Sequence, residues 1–121
     1  MAKPSTEQNP PAMELTEHRD GGTLVLAVRG RIDAVTAKHF EAAVMAPVQA
    51  EATPLVLDLD GLKYISSAGL RVILLAAKQQ KLKNAKFALC NLRAEVRDVF
   101  EISGFAKILE IHATRDAAVA A

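Results

Sequence analysis

Four short runs dominated by aliphatic residues, TLVLAVRG at 23–30, PLVLDLD at 54–60, KFALC at 86–90 and AKILEIH at 106–112, recur along the chain, and a segment suited to a helix follows each. A short apolar run without alternation reads as a strand covered on both faces. Strands of that kind separated by helices build a mostly parallel sheet with helices packed on it. Ahead of the first run, MELTEHR alternates weakly and is followed by Gly21 and Gly22, the mark of a β-hairpin that adds one antiparallel edge. The expected order is ββαβαβαβα. That is an α/β domain with a mixed, mostly parallel sheet of four to five strands and about four helices.

Local signals set the expected boundaries. In RIDAVTAKHFEAAVMAP, Val35, Phe40, Ala43 and Val44 are spaced as on a helix. Thr36 is the expected N-cap, Val35 and Phe40 a hydrophobic staple, and Pro47 the stop. The strand at 55–59 should end at Asp60 and Gly61, and a helix should run from about 67 to 82. Asn91 is the expected cap of a helix carrying Leu92, Val96, Val99 and Phe100 on one face, with Gly104 just past its end. Thr114 should cap a short last helix. Residues 1–12 hold three of the five prolines among polar residues and read as a disordered tail, which leaves 13–121 as the domain.

Composition removes several functions. The chain has one Tyr, four Phe and no Trp, so its core is aliphatic and stacking on bases is not expected. Lys and Arg number 15 against 14 Asp and Glu, interspersed, so neither direct nucleic-acid binding nor membrane insertion is expected. The longest apolar run, VILLAA, is too short to span a bilayer, and MAKPSTEQNPPAM lacks the apolar stretch of a signal peptide, which implies a cytoplasmic protein. A single cysteine, Cys90, fits a reducing compartment and reads as a buried thiol.

The residues offer little chemistry of their own. His18, His39 and His112 are scattered, without metal-ligand spacing. Asp58 and Asp60 would share one face of a regular strand and could hold a divalent cation, but Asp60 beside Gly61 is more simply a turn. No G-x-S-x-G triad motif and no glycine-rich phosphate loop is present. No metal, cofactor or enzymatic activity is expected.

Attention therefore falls on the adjacent serines of YISSAGL. Ser66 follows Ile65 and precedes a helix whose fourth position is Leu70, so it supplies a cap and a staple pair together. Ser67 then stands at the first helical position without a capping duty. It lies at the C-terminal end of a strand, where α/β sheets usually meet ligands and partners.

Here the sequence resembles the STAS domain family, and within it the small bacterial anti-sigma factor antagonists. The resemblance is carried by LVLDLDGLKYISSAGLRVILLAAKQQ around the family's D-S-S-G-L signature, and supported by VRGRIDAVTA and LRAEVRDVFEISGFAKILEIHATRDAAV. It implies a regulatory binding module that takes part in partner switching. The unphosphorylated form binds an anti-sigma factor, itself a serine kinase with a histidine-kinase-like ATPase fold, and so releases a sigma factor. The kinase phosphorylates one serine of the signature, and a PP2C-type serine phosphatase reverses this.

Laid on the signature, Ser66 stands at the family's Asp, Ser67 at the phosphorylated serine and Ala68 at the second hydroxyl residue. Gly69 and Leu70 stand at its Gly-Leu, and Asp33 matches an acidic position near the phosphorylation site. The resemblance thus implies Ser67 as acceptor and Asp33, Ser66, Ser67, Gly69, Leu70 and Arg71 as the partner-binding set. The alternative is a STAS adaptor that is never phosphorylated, such as a subunit of a lipid or solute transport complex.

Overall fold

The structure, a computed structural model, describes residues 12–50 and 52–121. The expected tail over 1–12 lies outside the described residues except for Ala12, whose carbonyl accepts a hydrogen bond from the Arg31 N–H at 2.8 Å. Strands β1 (Met13–Asp20) and β2 (Thr23–Ile32) form the hairpin, and helix α1 (Ala37–Ala50) leads to β3 (Leu55–Ile65). Helix α2 (Ser67–Leu82) leads to β4 (Phe87–Cys90), and α3 (Ala94–Ile102) with a 3-10 turn (Phe105–Lys107) leads to β5 (Glu110–His112). Helix α4 (Arg115–Ala120) follows. The sheet runs β1-β2-β3-β4-β5, antiparallel between the first two and parallel thereafter, as the sequence pattern requires.

Three successive crossovers that step the same way along a sheet, each right-handed, place their helices on one face. Alternation along the strands aims Leu24, Leu26, Leu55, Leu57, Leu59 and Leu89 at that face. There they meet Phe40, Val44, Ile73, Ala76 and Phe100 from the three helices. Each of the Leu, Val, Ile and Phe side chains among them stabilises the fold by about 1.5 to 3 kcal/mol through burial. The opposite face carries Val25, Val56, Ala88 and Cys90 and is covered by the short α4 through Ala118.

Cys90 is buried and free, and burial, reinforced by the Asp58 carboxylate, pushes its thiol up to about 12. Because the thiolate is the reactive species, Cys90 should resist iodoacetamide at neutral pH and react only after denaturation. Mass spectrometry before and after unfolding checks this, and labelling of the native chain would contradict it.

Four expected boundaries move. Strand β3 does not stop at Asp60 and Gly61 but continues to Ile65, because β2 keeps pairing with it through two register shifts, Gly61 lying against Arg29. Pro47 lies inside α1 rather than ending it: it lacks the N–H that would bond Ala43, yet burial of Val48 holds the last turn onto the core. Asn91 is not a helix cap. It adopts φ 59° in the left-handed region, its amide bonds Asp58, and the N-cap of α3 is Arg93. AKILEIH is strand only from Glu110, since β4 offers only Ala88–Cys90 as partner and the chain first makes a 3-10 turn after Gly104. Gly104 itself, at φ 84°, has the left-handed backbone expected past the helix end.

Candidate functional site

Two helix starts share the C-terminal edge of the sheet. Ile32 of β2 pairs with Ile65 of β3, and the Ser66 N–H donates to the Ile32 carbonyl at 2.8 Å. The next residues, Asp33 and Ser66, therefore open α1 and α2 side by side.

Asp33 caps the turn that leads into α1. Its Oδ1 accepts from the Val35 and Thr36 N–H groups, both at 3.0 Å, and its carbonyl accepts from the Ala37 N–H at 2.9 Å. Thr36 Oγ1 returns the favour by accepting from the Asp33 N–H at 2.9 Å, a reciprocal capping box. Thr36 stands directly before Ala37, as expected of the cap position, and its carbonyl accepts from the Phe40 N–H at 3.0 Å, while its hydroxyl turns back to Asp33 and Arg31 rather than to the helix. Val35, 86% exposed, makes no staple.

Hydrogen bonding, led by the Thr36 N–H and joined by the Thr36 hydroxyl, the Val35 N–H and the charge of Arg31, outweighs desolvation and holds the Asp33 carboxyl below its ordinary value. A lowered folded-state pKa means stabilisation that is present above the unfolded value, about 3.9, and lost as pH falls through the folded one. Asp33→Asn keeps an acceptor oxygen without the charge. Thermal melts should show a wild-type advantage at neutral pH that closes in strong acid; an advantage independent of pH would contradict the assignment.

At the second helix start, Ser66 is extended (φ −86°, ψ 171°) and its Oγ accepts from the Gly69 N–H at 3.3 Å, the expected cap. Gly69 is packed so closely that a Cβ there would lie 2.6 Å from Ile32 Cγ2 and 2.8 Å from Ile65 Cγ1. Leu70 and Ile65 are both buried. Gly69 and Leu70 therefore back the site from within, while Ser66 is half-buried and Ser67 and Arg71 are exposed. Ser67 is the first helical residue, and α2 has no acidic side chain in its first turn. Beside it α1 and α2 leave a shallow groove of about 260 Å³, to which Lys38, Glu41, Ala68 and Arg71 contribute.

Two exposed side chains run against the sequence pattern. Val35 stands out on the α1 side, and the chain's single Tyr, Tyr64, is 40% exposed with the Arg31 guanidinium 4.4 Å from its ring centroid. No local signal marks Tyr64: regular alternation would place it on the face of buried Leu62, and the register shift opposite Gly30 and Arg31 turns it outward.

The larger concavity, about 800 Å³, lies on the other face among Arg29, Lys63, Arg93, Asp58 and Asp60. Most of its charges are engaged. Arg29 pairs with Glu14 at 3.5 Å, Arg93 Nε donates to the Asp60 carbonyl at 2.7 Å, and Arg115 pairs with Asp58 at 2.9 Å. Asp58 is thus a hydrogen-bond hub, and among the described residues no three His, Cys, Asp or Glu side chains gather as a metal site would require. His112 Nε2 lies 2.6 Å from Glu110 Oε2 on β5. Among the described residues, no helix is long and apolar enough to cross a membrane.

The comparisons agree with this geometry. The STAS domain model matches residues 14–118. A candidate anti-sigma factor antagonist of Bordetella bronchiseptica, BtrV, is 44% identical over 90% of this chain and 94% of its own length. The Mycobacterium tuberculosis anti-sigma-F factor antagonist RsfB is 29% identical over 87% of this chain and 85% of its own. Among solved structures, an anti-sigma factor antagonist from Mycobacterium paratuberculosis superposes with a TM-score of 0.84 at 26% identity, covering 93% of this chain and 95% of that one. With the family model spanning the sheet, the helices and the serine edge alike, this chain belongs to the STAS domain family.

Proposed function

We propose that this protein is an anti-sigma factor antagonist that acts by partner switching, with Ser67 as its phosphorylation site. The observation that carries the reading is the division of labour between the serines: Ser66 caps α2, and Ser67 stands exposed beside it without that task. Relatives and structural neighbours bearing the antagonist name support it.

The chain supplies the acceptor and the docking edge formed by Asp33, Ser66 and Arg71, backed by Gly69 and Leu70. Catalysis belongs to the partner, an anti-sigma factor with serine kinase activity and a histidine-kinase-like ATPase fold. Ser67 Oγ attacks the γ-phosphorus of the ATP bound there, the Oγ–P bond forms as the bond to ADP breaks, and the hydroxyl proton passes to a base of the kinase. A PP2C-type phosphatase in the same cytoplasm hydrolyses the ester.

Phosphate adds about −1.5 to −2 charges. At a helix N-terminus the macrodipole favours an anion by roughly 0.3 to 1 kcal/mol, so α2 persists and the block arises at the interface. Incubation with the cognate kinase and ATP, followed by mass spectrometry, should find one phosphate on Ser67. Phosphate elsewhere, or none, would overturn the reading.

A further inference from the structure

Ser67 and Arg71 stand at positions i and i+4 of α2, and both are exposed. Residues so spaced are neighbours on a helix surface, with Cβ atoms about 5 to 6 Å apart. Among the described residues Arg71 has no salt bridge. Helix α2 contains no Asp or Glu from Ser67 to Leu82. The charged groups facing Arg71 from elsewhere are few: Lys38 and Glu41 of α1 line the same groove, and Asp33 is already engaged by the Val35 and Thr36 N–H groups. Arg71, in no ion pair although Glu41 shares its groove, therefore stands one turn from an uncommitted hydroxyl.

We propose that Arg71 is the built-in counter-ion of phosphorylated Ser67, a positioning residue that holds the phosphate as a dianion. The proposal rests on Ser67 being the acceptor. A guanidinium presents paired N–H donors to two phosphate oxygens, which the point charge of Lys38 cannot do. Free phosphoserine has its second pKa near about 6, so part of it is monoanionic close to neutrality. With Arg71 closed over it, a larger share of the ester is doubly charged near neutrality. The same contact withdraws a cation from the docking edge, so one modification changes two features a partner meets.

The test does not need the kinase. Phosphoserine is installed at position 67 of the full chain by genetically encoded incorporation, and its ³¹P shift is titrated through the mildly acidic range. The second pKa should lie roughly 0.4 unit lower in the otherwise unaltered chain than in Arg71→Gln, the size an i, i+4 ion pair supports. Arg71→Lys should recover part of the difference, and molar salt should shrink it.

Equal values in the unaltered chain and Arg71→Gln would overturn the proposal, as would a shift that disappears in Lys38→Gln while Arg71 is intact. Should Arg71→Gln fold poorly, the salt titration of the unaltered chain decides: a second pKa indifferent to salt overturns the assignment. Failure of the kinase reaction would refute the acceptor reading and leave this measurement standing, whereas failure here leaves the acceptor reading untouched.

Discussion

Phosphorylated at Ser67, the protein should bind its anti-sigma kinase about 100-fold more weakly than the unmodified chain, and Ser67→Asp should reproduce at least a tenfold part of that loss. Each tenfold step is about 1.4 kcal/mol, so the larger figure requires only about 2.8 kcal/mol. Desolvating a dianion against a surface shaped around a neutral hydroxyl can supply it, since charge without a partner is costly to bury. Ser67→Ala should bind as the wild type does while accepting no phosphate, because Ser66 and not Ser67 caps α2. Titration calorimetry of the three forms gives the comparison. Indifference of binding to Ser67→Asp would sink the switch and favour a STAS adaptor that is never phosphorylated.

The second large effect lies on the opposite face. Asp58 Oδ1 accepts from the Asp60 N–H and from Asn91 Nδ2, both at 3.1 Å, while Oδ2 accepts from Arg115 Nε and Nη2, both at 2.9 Å. One side chain thereby ties β3, the left-handed turn after β4 and the first residue of α4. Removing one member of a fully buried pair costs about 3 to 5 kcal/mol. Here Asp58 is 7% exposed but Arg115 35%, so water can serve the orphaned guanidinium and about 2 to 3 kcal/mol is expected for Asp58→Ala. The melting temperature should fall by about 10 °C. Adding Arg115→Met should restore part of it, because no uncompensated charge remains. A double variant less stable than Asp58→Ala would show that the pair is not the source.

Much of this fold is legible in the residues because local and global preferences agree: aliphatic runs became strands, Ser66 and Thr114 became caps, and Gly104 took the left-handed turn. Where they disagree, tertiary pairing wins. Asp60-Gly61 has the composition of a turn, yet β2 reaches past it. Pro47 breaks one hydrogen bond, yet Val48 is buried beyond it. Asn91 could cap a helix, yet its amide is drawn to Asp58, which belongs to another strand. The serine edge is readable for the same reason, since Ser66 needs only its own helix. The partnership of Asp58 with Arg115 spans 57 residues and leaves no trace in local spacing.

Strand order in this sheet equals chain order, so no strand has to be inserted between two already placed. Each new unit can add to a growing edge as it leaves the ribosome, with loop closures kept between neighbours. Everything that displays Ser67, from the hairpin through α2, is synthesised by residue 82. The last third of the chain then widens the platform through β4 and β5 and fastens its back through α4 and the Arg115–Asp58 pair.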